Sequence, residues 1–223
     1  MGLMLVLLGL FSAAFAQDTV DVAAVTNADV RVVQKILYPK ADRAEITASV
    51  GWMPFDALLT TPNLQFGFTK HNNERFGWGA VVGGGFGLKN GRYAELESPA
   101  YGVAPDAYRY LASALAGIEW SPIYGKMTTN GARIVHYDGY ANARAGVSLE
   151  SSVIPSGGVA LAPTLSLGVG TRIFLGNRAA LRIELRDDLL IEHRKLTDNT
   201  YFKQNANVLV GWTIFTEGPG EGR

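Results

Sequence analysis

Apolar residues alternate one by one with polar or small residues in eight separate segments of this chain. In Leu181 to Arg186 every aliphatic residue is followed by a charged one, so an extended strand would carry charges on one face and aliphatic side chains on the other. Leu181, Leu185 and Leu189 also have the spacing of a helix face, so this segment does not decide its own structure. The other segments with the same period are 45–53, 63–70, 76–88, 108–120, 141–150, 164–173 and 201–215. Eight strands of roughly ten residues are typical of the smallest membrane barrels.

The face that is turned inward decides between a water-soluble barrel and a membrane barrel. Eight strands enclose room for only a modest filling of side chains. The apolar faces carry bulky residues such as Trp52, Phe66, Trp78 and Trp120, whereas the opposite faces are rich in glycine. Turned outward, the bulky faces would form an apolar surface that only lipid could cover. We therefore predict an all-β fold, an eight-stranded antiparallel up-and-down transmembrane β-barrel over residues 43–215.

The inward positions of this barrel would carry charges of both signs in nearly equal number. We expect these side chains to form a packed network that fills the lumen and blocks conduction, because an unpaired buried charge costs on the order of several kcal/mol. The predicted polar network of the lumen comprises Glu45, Arg109, Glu119, Arg144, Glu150, Arg172, Arg182, Glu184, Arg186 and Lys203.

Charge also predicts the register between the sixth and seventh strands. Arg172 directly opposite Arg182 would be repulsive. We therefore predict that Arg172 faces Glu184, with a three-residue turn around Asn177 to Ala179.

The remaining segments predict an exported protein with its termini on the periplasmic side. Residues 1–16 resemble a signal peptide, because an uncharged apolar run ends in Ala14, Phe15 and Ala16. Residues 17–42 are expected to form a periplasmic N-terminal arm, and residues 216–223 a disordered tail. The connectors alternate between short and long, as in outer-membrane barrels, although the link from Ser121 to Ile134 is too long for this rule. These features predict a location in the bacterial outer membrane, with its lipids and envelope proteins as partners.

Little in the sequence indicates catalysis or a cofactor. The chain has no net charge, which gives no reason to expect nucleic acid as a partner. Among the three histidines, only His193 lies near several carboxylates, namely Asp187, Asp188 and Glu192. A lipid-modifying enzyme with a site at the barrel rim, and a pore for small solutes, are the alternatives to a structural role. Strict alternation would turn Asp187 towards lipid, so we expect a bulge at Asp187 and Asp188 or a position above the bilayer.

Three stretches resemble the outer-membrane β-barrel domain family that is best represented in myxobacteria. They are "VVQKILYPKADRAEITASVGWMPFD", "NLQFGFTKHNNERFGWG" and "SPIYGKM", the last containing Tyr124, Gly125 and Lys126. Some members of that family are associated with envelope-spanning motility or transport machinery. The resemblance implies an outer-membrane component of a larger assembly, and it brings no catalytic residues.

Overall fold

The computed structural model of this chain describes residues 36–103, 105–129, 133–154, 158–194 and 199–217. This part of the chain forms nine strands and one short helix. They are β1 (Ala44–Met53), β2 (Leu59–His71), β3 (Phe76–Gly85), β4 (Leu88–Lys89), α1 (Gly91–Glu97), β5 (Tyr108–Thr129), β6 (Arg133–Ser152), β7 (Val159–Phe174), β8 (Ala179–Arg194) and β9 (Asn199–Phe215). The residues of the predicted signal peptide and most of the predicted arm lie outside the described ranges.

Eight of these strands close into a ring. Neighbouring strands pair antiparallel in the order β1, β2, β3, β5, β6, β7, β8 and β9, and β9 pairs with β1. The short β4 pairs with β2 outside the ring. The predicted fold class, an eight-stranded antiparallel up-and-down barrel, is confirmed.

The two faces of the wall differ as the alternation predicts. On β1, Glu45 and Thr47 are buried inside the barrel, whereas Ile46 and Val50 on the outer face are 56% and 63% exposed. Inward glycines lie beside inward polar side chains. A Cβ atom on Gly168, for example, would lie 2.7 Å from the side-chain oxygen of Asn142.

We call the end of the barrel at which β1 begins and β9 ends the proximal end, and the opposite end the distal end. The β3 to β5 connection, which contains α1, lies at the distal end. There Tyr93 of α1 is fully buried against Leu59, Ala107 and Val153. Asn90 caps α1, since its side chain accepts a hydrogen bond from the backbone N–H of Tyr93.

An irregularity in β5 corrects the predicted orientation of its first residues. Tyr110 pairs with Glu150, but the next pair joins Ala112 to Leu149, so Leu111 is an extra residue in the ladder. Strict alternation with Arg109 in the lumen would turn Tyr108 and Tyr110 outward, but this bulge exchanges the two faces and both tyrosines are buried inside the barrel. Arg109, which we predicted in the lumen, consequently belongs to the outer face.

The predicted register between the sixth and seventh barrel strands, β7 and β8, is wrong. Arg172 pairs with Arg182 rather than with Glu184, and the turn comprises the four residues 175–178. The repulsion that we expected between the two arginines is offset by carboxylates from other strands, which reach them across the lumen. The charges of the two arginines are therefore balanced across the lumen and not by their direct cross-strand neighbours.

The predicted long link between Ser121 and Ile134 is mostly strand. β5 and β6 continue as a hairpin beyond the proximal end of β3, whose last pair with β5 joins Phe76 to Trp120. Ile123 to Thr128 of β5 pair with Ile134 to Gly139 of β6. We call these residues the proximal hairpin.

The residues just before β1 and just after β9 are bonded to the barrel. We call residues 36–43 the strap, because they lie along the proximal mouth. The backbone N–H of Leu37 donates to the Tyr124 hydroxyl at 3.2 Å, and that of Lys40 donates to Glu74 at 3.0 Å. Thr216, which we assigned to a disordered tail, donates its N–H to the carbonyl of Ala44 at 2.8 Å. No helix in the described ranges has the length and apolar character needed to cross a membrane.

Candidate functional site

The lumen holds a cluster of ten buried charged side chains, which we call the central network. Each of them is at most 7% exposed. Five carry positive charge and five carry negative charge. The cations are Lys40, Arg144, Arg172, Arg182 and Arg186, and the anions are Glu45, Glu119, Asp138, Glu184 and Asp188.

Arg172 and Arg182 occupy the centre of this network and share two carboxylates. Arg182 donates to Glu45 at 2.8 Å and to Glu119 at 2.9 Å. Arg172 donates to the same two residues and, at 2.9 Å, to Asp138. The register places the two arginines side by side on the wall, and the acids of β1, β5 and β6 neutralise them.

Tyr140 lies against both arginines. The guanidinium carbons of Arg172 and Arg182 lie 4.6 and 4.2 Å from the centre of its ring. Its hydroxyl donates to Glu184 at 3.0 Å, and Glu184 also accepts from Arg182 at 2.8 Å. Contact with the aromatic ring stabilises both guanidinium groups in a site without bulk water.

The network continues towards the distal end. Glu184 forms an ion pair with Arg144 at 3.3 Å, and Arg186 lies 3.2 Å from Asp188. Beyond them a separate pair crosses the lumen, in which Lys203 donates to Glu150 at 2.9 Å.

Nine of the ten predicted lumen residues are thus found inside the barrel, and Arg109 is not. Sequence reasoning missed Lys40, His71, Asp138 and Tyr140 as members or neighbours of the network. Asp138 and Tyr140 could have been found by extending the even-numbered inward face of β6 back beyond Ala141. Lys40 lies before the first alternating segment, so no periodic signal marked it.

The proximal mouth is filled by aromatic side chains beneath the strap. Tyr38 stacks on Phe174 with ring centres 5.3 Å apart, and Phe174 stacks on Phe215 at 6.0 Å. The ring of His136 meets that of Tyr38 edge-on at 5.3 Å. Lys40 extends from the strap into the lumen, where its ammonium group contacts Asp138.

Burial lowers the pKa of the Lys40 ammonium below its ordinary value, and the positive charge of Arg172 lowers it further. Asp138 acts in the opposite direction and only partly offsets these two effects. The strap therefore places the Lys40 ammonium group in a site where the favourable effect of Asp138 only partly offsets the unfavourable effects of burial and Arg172.

One group of side chains has the composition of a metal site. Ligand atoms of Glu45, His71 and Glu119 lie within 4.8 Å of one another, and His71 lies 2.8 Å from Glu45. Both carboxylates, however, already neutralise Arg172 and Arg182. A divalent cation at this position would give the network an excess of positive charge, so these residues fit an ion-pair role better than a metal role.

The cluster around His193 is divided between the two faces of the wall. Asp188 and Glu192 are buried inside the barrel, whereas His193 is exposed on the outer face. Asp187 is outward, six residues away along the strand. We expected either a bulge at Asp187 and Asp188 or a position above the bilayer; the register of β8 against both neighbours is continuous here, so the bulge is absent from this described strand.

Large apolar side chains form a continuous exposed band on the outer wall. They include residues from every long strand, with exposures of about half of each side chain. Representative members are Val50, Trp52, Phe66, Trp78, Val82, Ile118, Trp120, Val147, Leu165, Leu185, Val210 and Trp212. A water-soluble monomer does not tolerate such a surface, whereas the hydrocarbon of a bilayer covers it.

No protein-family model and no curated protein matches this chain. Among solved structures, the chain is similar to neisserial surface protein A (NspA), with a TM-score of 0.45 and 10% identity over 77% of this chain and 95% of that one. For the attachment invasion locus protein Ail of Yersinia pestis the TM-score is 0.43 at 12% identity, over 79% and 99% of the two chains. For the N-terminal β-barrel domain of Pseudomonas aeruginosa OprF it is 0.40 at 9% identity, over 79% and 98%. These values are too low to transfer a function, which we derive from the chain's own residues.

Proposed function

We propose that this chain is a structural or anchoring β-barrel of the bacterial outer membrane, with a lumen that does not conduct, and that it belongs to a larger envelope assembly. The observation that carries this proposal is the central network. Five cations and five anions fill the interior of an eight-stranded wall whose outer face is apolar.

A membrane location is supported by the outer band. Closed barrels and helices are the structures that satisfy every backbone polar group within hydrocarbon, and this chain forms a closed barrel. The export signal predicted in residues 1–16 and the resemblance to an outer-membrane domain family favour the outer membrane.

A closed lumen is supported by how little space the central network leaves. The cavity beside Arg144, Arg182 and Glu184 has a volume of about 20 Å³. That space holds roughly one or two water molecules. The ten charges of the central network balance one another, and Glu192 farther towards the distal end adds one buried negative charge.

An anchoring role is supported by the proximal end. The strap ties the N-terminal side of the barrel to the mouth through Lys40 and through Arg43, which donates to the backbone carbonyls of Asn177 and Thr216 at 2.6 and 2.8 Å. The proximal hairpin extends beyond the ring beside it. A partner that held these elements would be attached to a rigid wall rather than to a loop.

Conductance in planar bilayers tests the closed lumen. We expect no current steps from the folded wild-type chain. The matched control is the double variant Arg172→Ala, Glu119→Ala, which removes one cation and one anion and should admit small ions while the network stays neutral. Stepwise wild-type currents comparable to those of this variant would contradict a closed lumen. A difference in gel migration between unboiled and boiled samples of the same protein shows that the protein is folded.

Cysteine labelling tests the location and the orientation, because the chain contains no cysteine. Gly91→Cys places a thiol at the distal end, and Asn73→Cys places one in the β2 to β3 turn at the proximal end. In intact cells we expect a membrane-impermeant maleimide to label the distal thiol and to reach the proximal thiol only after permeabilisation. Equal labelling of both thiols in intact cells would exclude this topology.

A further inference from the structure

A polar pair interrupts the apolar outer wall of β8 and β9. Asp187 points outward from β8, and its carboxylate accepts a hydrogen bond at 3.2 Å from the side-chain amide of Gln204, which points outward from β9. The direct cross-strand partners of Asp187 are Leu167 on β7 and Ala206 on β9.

The pair lies within the apolar band and not beyond it. Leu185 precedes Asp187 on the outer face, and farther towards the distal end Ile191 and Phe202 are 51% and 66% exposed. From Leu181 to Ile191 the outer face of β8 spans ten residue-to-residue steps, or about 25 Å along the membrane normal at the usual strand tilt, which matches the height of an apolar band. Among the outward residues of this stretch, Asp187 is the only charged one.

Lipid hydrocarbon cannot satisfy this pair. Acyl chains offer neither donors nor acceptors, and a carboxylate in their midst is costly unless a donor reaches it. Ionisable residues at such a depth usually pair with a protein group. Gln204 supplies one donor from the same wall to one carboxylate oxygen, and the other oxygen of Asp187 has no hydrogen-bond partner among the described residues.

The pair is complementary to itself. The Gln204 amide has two N–H groups and uses one for Asp187, while a carboxylate accepts more than one hydrogen bond. A twofold axis beside the pair would let the free N–H of each Gln204 reach the Asp187 of the other copy. Leu165, Leu167 and Leu185 surround the pair and would supply the apolar contact of an isologous interface.

We propose that the outer face of β7, β8 and β9 is a dimerisation surface for a second copy of this chain, centred on Asp187 and Gln204. The interface depends on the membrane location proposed above, but not on a closed lumen.

Disulfide cross-linking in the membrane tests the interface. Ala206→Cys places a thiol beside the pair on β9, and Ala114→Cys places one on the outer face of β5, four strands away around the ring in either direction. Under mild oxidation we expect the Ala206→Cys protein to form cross-linked dimers at least several-fold more than the Ala114→Cys protein. Adding Asp187→Leu or Gln204→Leu to Ala206→Cys should reduce the dimer several-fold, and Asp187→Asn should reduce it less.

Equal cross-linking at the two positions, or dimers that persist in both leucine variants, would overturn the proposal. So would a change in co-purifying lipid on Asp187→Leu without any Ala206→Cys dimer, because that result would assign the pair to a lipid. Migration of unboiled samples shows whether each variant is folded. A misfolded barrel would fail this control at both thiol positions, so failure of the membrane location is distinguishable from failure of the interface.

Discussion

Glu45 has the most extensive contacts of any acid in the described lumen. It accepts from Arg172 and Arg182, lies against His71 and is fully buried. Replacing a whole buried ion-pair cluster by apolar residues often changes stability little, whereas removing Glu45 alone takes one negative charge from two buried cations and leaves the cluster unbalanced. The consequence of a substitution therefore depends on what is left behind.

The substitution Glu45→Gln should lower the free energy of unfolding by about 3–5 kcal/mol, because two buried guanidinium groups lose a charged acceptor. Adding Arg182→Met should recover part of this loss, since the double variant also removes one of the two cations that lost this acceptor. Urea unfolding followed by gel migration measures both changes. The matched control is Glu97→Gln, whose partner Lys89 is also exposed, and which should cost less than about 1 kcal/mol. Equal losses for Glu45→Gln and Glu97→Gln would contradict the assigned role of the network.

Lys40 and Asp138 form a pair whose members should respond unequally to substitution. Because burial lowers the pKa of Lys40, Lys40→Met should cost about 1 kcal/mol or less, while Asp138→Asn should cost about 3 kcal/mol or more, since it removes the carboxylate that Lys40 contacts and one of three that Arg172 contacts. Between the lowered pKa and 10.5 the unfolded chain binds more protons than the folded chain, so the free energy of unfolding rises with pH in that window. Lys40→Met should remove this contribution. Urea unfolding of both variants at neutral pH and at pH 10.5 measures these differences, and a larger loss for Lys40→Met than for Asp138→Asn would refute the ranking.

At the scale of the strand, the close approach of two backbones explains why one inward position is glycine, whereas alternation predicts only that the position faces inward. Gly117 faces inward on β5, opposite Arg144 of β6, and a Cβ atom there would lie 2.0 Å from the carbonyl oxygen of Ala143. The backbone of β6 therefore passes too close for any larger residue without displacement of a strand.

The substitution Gly117→Ala should destabilise the barrel or prevent its closure, since the methyl group meets backbone rather than a flexible side chain. Gly91→Ala at the start of α1 is the matched control, because a Cβ atom there has nothing within 4 Å. The fraction of protein that migrates as folded without boiling measures the effect. If both variants fold equally well, the close approach at Gly117 is not a constraint.

The strands show why part of the fold was predictable and part was not. Alternation predicts every long strand and the face of most residues, because one face of a barrel wall must be apolar and the other polar. It does not reveal the bulge at Leu111, because the residues before the bulge alternate acceptably whichever of their two faces is assigned to the lumen. It also does not reveal the register of β7 against β8, because the carboxylates that tolerate Arg172 beside Arg182 come from strands far away in the sequence.

At the scale of the whole molecule, all four tryptophans of the chain lie on the outer face. Trp52, Trp78, Trp120 and Trp212 are each about half exposed on barrel strands. In a bilayer these rings would contact lipid, and aromatic residues at strand ends are typical of the membrane interfaces.

We expect the tryptophan emission of the reconstituted barrel to be quenched by bromines attached to lipid acyl chains and to be protected from acrylamide in the water. Urea-unfolded protein is the control and should show the reverse. Strong acrylamide quenching of the folded protein, with no effect of the brominated lipids, would place the outer face in water and contradict a membrane barrel. Fluorescence titrations with the two quenchers distinguish these results.

The position of Glu45 in the ladder has a consequence for how the molecule assembles. It belongs to the first strand, whereas the guanidinium groups that it neutralises belong to strands formed near the end of the chain. Until the first and last strands join, those opposite charges remain apart, so an open intermediate carries exposed ions that oppose its entry into hydrocarbon. Pairing of β1 with β9 and neutralisation of the buried charges are then a single cooperative event. Insertion into the membrane is therefore expected to be all-or-none.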